Sequence, residues 1–155
     1  MVPFPWGTAA GSRRAAILGL MRLELTRRGD YAVRAMLALA APDGDWMSVT
    51  RIAGAMVIPE RFLPRVMRDL VDARLVEART GRSGGYRLAR PAAAITLLDV
   101  IDAIEPADDE RRCVMRGIPC GVDGRCAVHA TFDEARVAHR RRLAESTLAA
   151  LAQRR

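Results

Sequence analysis

The feature that most constrains the fold is a pair of short helical patterns separated by a tight turn, between residues 48 and 73. Ser48 can cap the first helix, and Val57-Ile58-Pro59 predicts the turn that follows it. The second helix is predicted from about Pro59 to Ala73, with Pro64 tightening its first turn. Two helices joined this closely predict a helix-turn-helix unit. The predicted inward-facing residues of the second helix are Phe62, Leu63, Val66, Met67, Leu70 and Val71.

A glycine-rich hairpin is predicted directly after these two helices. Val76-Glu77-Ala78 is typical of a strand, residues 79–85 of a hairpin tip, and Tyr86-Arg87-Leu88 of a returning strand. Further helices are predicted after a Thr26 cap and over residues 97–104, where Thr96 and Asp99 form a capping box. The pattern therefore predicts a mainly α fold, a winged helix-turn-helix with a small β-hairpin wing and a long C-terminal helix.

Positive charge is concentrated on the predicted helix-turn-helix and wing. The formal net charge is +7, and all 25 basic residues are arginine. Between Glu60 and Arg90 there are eight arginines and four acids. Such a surface suits double-stranded DNA, with the second helix in the major groove, although a solvated surface would show the same excess. The candidate DNA contacts are Arg61, Arg65, Arg68, Arg79, Arg82, Ser83, Gly84 and Tyr86.

All three cysteines of the chain lie within one glycine- and proline-containing stretch, Cys113, Cys120 and Cys126, followed by His129. Glycine and proline favour turns, so a compact loop could bring three thiolates and an imidazole around one metal ion or iron–sulfur cluster. The spacing matches no common zinc signature. With no Cys-x-x-Cys pair and no constellation of acids and bases elsewhere, the sequence does not indicate an enzyme.

The chain divides into four predicted regions. Residues 1–20 form a leader, disordered or the product of an upstream start codon, and residues 21–105 form the DNA-binding domain. Residues 106–130 form the cysteine loop, and residues 131–155 a dimerisation helix and tail, with a possible break at Ser146. No stretch approaches the ~18 apolar residues of a membrane span, which predicts a cytoplasmic protein.

The last region has a large apolar surface and little left in the chain to pack against. We expect it to form a homodimer on a pseudo-palindromic DNA site, the alternative being a helix that covers the core of its own chain. Its apolar residues are Phe132, Ala135, Val137, Ala138, Leu143, Leu148 and Leu151.

Several of these segments resemble the IscR/NsrR/RirA type of bacterial regulator over about residues 21–151. They are Gly29-Asp-Tyr-Ala-Val-Arg-Ala-Met-Leu-Ala-Leu-Ala, the wing Gly81-Arg-Ser-Gly-Gly-Tyr-Arg-Leu-Ala-Arg-Pro, Ile95-Thr-Leu-Leu-Asp-Val-Ile-Asp-Ala-Ile, the three cysteines and Ser146-Thr-Leu. The resemblance implies a dimeric winged-helix transcription factor, expected to be a repressor. It also implies a [2Fe-2S] or [4Fe-4S] cluster, sensing cluster supply, iron, nitric oxide or redox state, that controls DNA binding.

The resemblance also implies the ligands. Cys113, Cys120 and Cys126 match the family's cysteines, although the first spacing is one residue longer than the commonest pattern. The fourth ligand is His129 by the IscR-like pattern or Asp30 of the partner subunit by the NsrR-like one, and His129 is preferred. Asp30 could instead be a carboxylate near the start of its helix that is favoured by the helix dipole, and His129 could be a solvated or helix-capping residue. The alternative for the whole site is a structural Cys3His zinc site with no sensing role.

Overall fold

The computed structural model describes residues 24–41, 45–81, 84–105 and 127–153. Helix α1, Arg27–Leu39, begins at the predicted cap, where the Thr26 hydroxyl accepts a hydrogen bond from the Gly29 amide at 3.1 Å. This cap satisfies one of the amides that a helix start leaves without a partner. One face of α1 is fully buried, including Ala32, Ala35 and Met36, and it forms the centre of the core.

Helices α2 (Val49–Met56) and α3 (Leu63–Asp72) form the predicted helix-turn-helix. Val57 takes the left-handed conformation (φ 54°) at the turn, and a short 3-10 helix, Glu60–Phe62, precedes α3. Pro64 lies in the first turn of α3, where its missing amide leaves no helical hydrogen bond unmade, so the predicted tightened start is confirmed.

The prediction that Phe62 faces inward was wrong, since this side chain is 42% exposed. Phe62 belongs to the 3-10 helix that precedes α3, so it does not continue the regular α-helical spacing on which the prediction rested. Burial begins at Leu63 and continues along one face of α3 through Val66, Met67 and Leu70.

Strands β1 (Val76–Arg79) and β2 (Gly85–Leu88) pair antiparallel, from Val76 opposite Leu88 to Arg79 opposite Gly85. The hairpin is attached to the start of α2, because Met47 and Tyr86 exchange two backbone hydrogen bonds of 2.9 Å. Gly85 (φ +148°) allows this approach, since a Cβ at this position would collide with the Met47 carbonyl. The predicted wing is therefore confirmed and is fixed to the helix-turn-helix.

The C-terminal half contains α4 (Leu97–Ile104), α5 (His129–Ala144) and α6 (Leu148–Ala152). The predicted capping box of α4 is present, with the Asp99 amide donating to the Thr96 hydroxyl at 3.1 Å and the Thr96 amide to the Asp99 carboxylate at 2.9 Å. The chain leaves helical geometry between α5 and α6, so the predicted break at Ser146 is confirmed.

Helix α6 packs on the core of its own chain. Leu148 is fully buried, and its amide donates to the Ile95 carbonyl at 2.9 Å. For this segment the structure favours the intramolecular alternative, because Leu148 lies in the core of its own chain. Helix α5 differs, because none of its residues is buried.

The observed architecture is mainly helical, with one two-stranded sheet among the described residues. No helix in the described ranges is long and apolar enough to cross a membrane. The predicted leader, residues 1–20, and most of the predicted cysteine loop lie outside the described residues.

Candidate nucleic-acid interface

The exposed face of α3 carries arginine. Because Leu63, Val66 and Met67 bury the opposite face, Arg65 and Arg68 are left on the surface. In the part of the chain that the structure describes, neither side chain makes a hydrogen bond or an ion pair. Both guanidinium groups therefore keep all their donors available for phosphate oxygens.

Arg61 precedes α3 and is held differently. Its guanidinium carbon lies 4.8 Å from the centroid of the Phe62 ring, a cation–π contact. Phe62 in turn stacks on Tyr31 of α1, with centroids 5.7 Å apart and an interplanar angle of 27°. The three side chains form a stack, Arg61–Phe62–Tyr31, at the start of the candidate recognition helix.

Two carboxylates near this surface, those of Asp69 and Glu60, are engaged with other helices. Asp69 of α3 is paired with Arg28 of α1, whose Nε also donates at 3.1 Å. Glu60 accepts a hydrogen bond from the Thr50 hydroxyl at 2.8 Å, which joins α2 to the 3-10 helix. The carboxylates thus hold the helices together and do not neutralise Arg65 or Arg68.

The wing carries two arginines over one tryptophan. The guanidinium carbons of Arg79 and Arg87 lie 4.4 Å and 4.7 Å from the Trp46 ring, and Arg87 also pairs with Glu77 at 2.7 Å. We did not predict Trp46 from the sequence. A signal existed in the predicted hairpin, because Arg79 and Arg87 are diagonal neighbours on one face of the sheet and an aromatic ring fits beneath such a pair.

The remaining predicted DNA contacts lie at or near the wing tip. The Tyr86 side chain is half-buried and packs against the core, and the Gly84 amide donates to the Gly81 carbonyl at 2.9 Å. Arg82 and Ser83 lie outside the described residues. The structure thus brings Arg61, Arg65 and Arg68 to one helix surface and Arg79 to the wing.

The candidate cluster ligands are only partly described. Cys113, Cys120 and Cys126 lie outside the described residues, and His129 is the half-buried first residue of α5. Asp30 forms a two-point ion pair with Arg34, with contacts of 2.8 Å and 2.7 Å. Within the described ranges, no group of three or more histidine, cysteine, aspartate or glutamate side chains is placed to hold a metal.

Comparison with known proteins decides the class of this winged helix. The family model named Rrf2, described as an iron-dependent transcriptional regulator, matches residues 25–154. The chain belongs to the Rrf2 family. This Rrf2 chain is therefore a transcriptional regulator and not an enzyme, which confirms the IscR/NsrR/RirA resemblance.

Individual relatives agree with this assignment. The Rrf2 chain is 38% identical to protein aau3 of Rhizobium meliloti over 115 residues, which cover 73% of this chain and 74% of that protein. It is 39% identical to an HTH-type transcriptional regulator of Mycobacterium tuberculosis over 84 residues, which cover 54% of this chain and 52% of the relative.

Solved structures share the fold. CymR, the global cysteine regulator of B. subtilis, superposes with a TM-score of 0.71 and 27% identity, covering 86% of this chain and 98% of CymR. IscR of T. potens superposes with a TM-score of 0.66 and 26% identity, covering 87% of this chain and 90% of that structure. The predicted winged helix-turn-helix class is confirmed.

Proposed function

We propose that this Rrf2 chain binds promoter DNA as a homodimeric repressor, and that an iron–sulfur cluster controls its affinity. The observation that carries the DNA-binding part is the fixed pair of arginine surfaces. Arg65 and Arg68 lie exposed on α3, and Arg79 and Arg87 lie on the wing over Trp46. Phosphates flanking a groove can be contacted from both elements at once.

The proposal that an iron–sulfur cluster is bound rests on the types of side chain available as ligands. The three cysteines lie in the sequence between α4 and α5, and His129 is the first residue of α5. Iron–sulfur clusters accept both residue types as ligands. The description of the family as iron-dependent transcriptional regulators agrees with this chemistry. When bound, the cluster would supply a redox- and nitric-oxide-sensitive group to the loop that leads into α5.

The choice of the fourth ligand follows from the ion pair of Asp30. Ligation by Asp30 of the partner subunit would compete with the two short contacts that this carboxylate makes with Arg34. His129 has no competing ion pair among the described residues. We therefore assign Cys113, Cys120, Cys126 and His129 as the ligands.

Dimer formation is supported by α5. This helix has sixteen residues and none of them is buried, and Val137 is 61% exposed. Arg140 ties α5 to α4 through a two-point ion pair with Asp102, at 3.1 Å and 2.8 Å, and a helix of this length with so little buried surface is only marginally stable. A second copy of α5 would cover it and would place two helix-turn-helix units on a pseudo-palindromic site.

The experiment is anaerobic purification of the full chain, followed by visible absorption, analysis of iron, sulfide and zinc, and DNA binding before and after cluster loss. We expect coloured protein containing iron and sulfide, and a large change in DNA affinity when the cluster is removed. Cys113→Ala, Cys120→Ala and Cys126→Ala should each abolish the colour.

Two histidine variants provide a matched comparison. His129→Ala should change the absorption spectrum, whereas His139→Ala, an exposed residue of the same helix, should leave it unchanged. Colourless wild-type protein with stoichiometric zinc would refute the sensing role and favour the structural Cys3His zinc site. An unchanged spectrum in His129→Ala, with loss of colour in Asp30→Ala, would instead assign the fourth position to the partner's Asp30.

A further inference from the structure

We infer that Arg61 contacts a guanine base in each half of the DNA site, and that Phe62 and Tyr31 are positioning residues that orient its guanidinium. The inference rests on the proposed DNA-binding function and adds to it the base that the recognition helix selects. It separates Arg61 from Arg65 and Arg68, to which we assign phosphate contacts.

The position of Arg61 is the first observation that supports a contact with a base. Arg61 lies in the 3-10 helix Glu60–Phe62, at the N-terminal end of the recognition helix, and its side chain is exposed. In helix-turn-helix proteins it is the N-terminal part of this helix that contacts base edges, while more distant residues contact the backbone. Arg68 lies further along α3 and is better placed for the backbone.

The second support is the stack. With the guanidinium carbon 4.8 Å from the Phe62 centroid, the Arg61 head group lies over the ring before DNA binds. Phe62 is itself held by Tyr31, at 5.7 Å between centroids. A planar donor pair that is oriented in advance loses less side-chain entropy when it forms two parallel hydrogen bonds.

The chemistry then selects the base. Arginine has donors and no acceptor, so it matches the two acceptors of guanine, O6 and N7, and not adenine, which presents one acceptor and one donor in the major groove. Arg61 makes no ion pair among the described residues, and its neighbour Glu60 is engaged by Thr50. Contact with guanine therefore requires no existing ion pair to break.

The test begins with selection of binding sites from a randomised double-stranded DNA library by the full-length protein. Fluorescent duplexes are then titrated, with each G·C pair of the selected site replaced in turn by A·T. At one pair in each half-site we expect wild-type affinity to fall about 5- to 150-fold, the range for a lost bidentate contact. Arg61→Ala should bind the two duplexes about equally, and Arg61→Lys should keep the salt dependence but lose most of the discrimination.

The positioning role is tested with Phe62→Leu, which keeps an apolar side chain but removes the ring. Discrimination should fall at the same base pair and stay unchanged at all others, whereas a merely structural role would weaken binding to every duplex. Arg27→Ala, an exposed arginine of α1, is the matched control and should leave the base preference unchanged.

Two outcomes distinguish failure of this inference from failure of the proposed DNA-binding function on which it rests. If Arg61→Ala weakens every duplex equally and keeps the base preference, Arg61 contacts phosphate and the inference is overturned. If the wild-type protein selects no sequence at all, the proposed promoter-binding function itself is overturned.

Discussion

The Glu105 carboxylate accepts a hydrogen bond from the Thr26 hydroxyl at 2.8 Å and another from the Thr26 amide at 3.1 Å. Thr26 is the cap of α1, and Glu105 is the last described residue before the region that contains the cysteines. The same carboxylate lies where a Cβ on Gly29 would be, so a larger residue at position 29 would displace the Glu105 side chain from this position. The start of α1 and the end of α4 are thereby held together.

Thr26→Ala should destabilise the fold. It removes the cap of α1 together with the hydroxyl contact to Glu105, and we expect a loss of about 1–2 kcal/mol in the free energy of unfolding. Urea denaturation followed by circular dichroism measures it. Thr131→Ala, at an exposed position within α5, is the control and should leave stability nearly unchanged. Equal stabilities for the two variants would show that the cap contributes little.

Leu148→Ala should have a larger effect, because this side chain is fully buried although it belongs to the last helix. Truncation of a buried leucine costs about 2–5 kcal/mol. Thermal unfolding of the variant should show a clearly lower midpoint than that of Leu151→Ala, which is only half-buried. A midpoint equal to the wild type would mean that α6 is dispensable for the core.

Val137→Glu should dissociate the dimer without unfolding the subunit. Val137 is 61% exposed within the chain, so a charge there meets only water in the monomer but an apolar surface in the proposed dimer. Sedimentation velocity should give a dimer for the wild type and a monomer for the variant. A variant that remains dimeric at low concentration would place the dimer interface away from this face of α5.

Arg65→Ala and Arg68→Ala should each weaken binding to all DNA sequences by a similar factor. Since each variant removes one phosphate contact in each half-site, two in the dimer complex, the slope of log affinity against log salt should decrease by about 2 per variant. Fluorescence anisotropy at several salt concentrations measures the slope. An arginine whose removal leaves the slope unchanged does not contact phosphate.

Trp46→Leu should weaken DNA binding through the wing. The ring holds Arg79 and Arg87, and two exposed cation–π contacts together contribute about 1–2 kcal/mol, so we expect a loss of about 5- to 30-fold in affinity. Trp6→Leu, in the predicted leader, is the matched control. Equal affinities for both variants would show that the ring does not organise the wing arginines for binding.

Local signals predicted most of the fold. Thr26, Ser48 and Thr96 cap the helices that follow them, because a cap depends on residues only a few positions away. The hairpin was predicted for the same reason, from glycines between two strand-forming runs. Phe62 was placed on the wrong face because periodicity assumed a regular α-helix, and a 3-10 start cannot be recognised from apolar spacing alone.

Contacts distant in sequence were not predicted. Trp46 meets Arg79 and Arg87 only because the Met47 backbone pairs with β2, and no pattern around residue 46 indicates that pairing. The burial of Leu148 likewise depends on the pairing of Thr147 with Thr96, which turns the last helix back onto the core of its own chain. The ligand set of the cysteine stretch remains a prediction.

The two hydrogen bonds between Met47 and Tyr86 have a consequence for the DNA site itself. These bonds anchor the hairpin two residues before α2 begins. The wing and the recognition helix therefore form one rigid device, and the distance between their two DNA contacts is fixed. Such a device tolerates sequence changes between its two contacts better than changes in their spacing. Insertion or deletion of a single base pair within a half-site should therefore harm binding more than substitution of that same base pair.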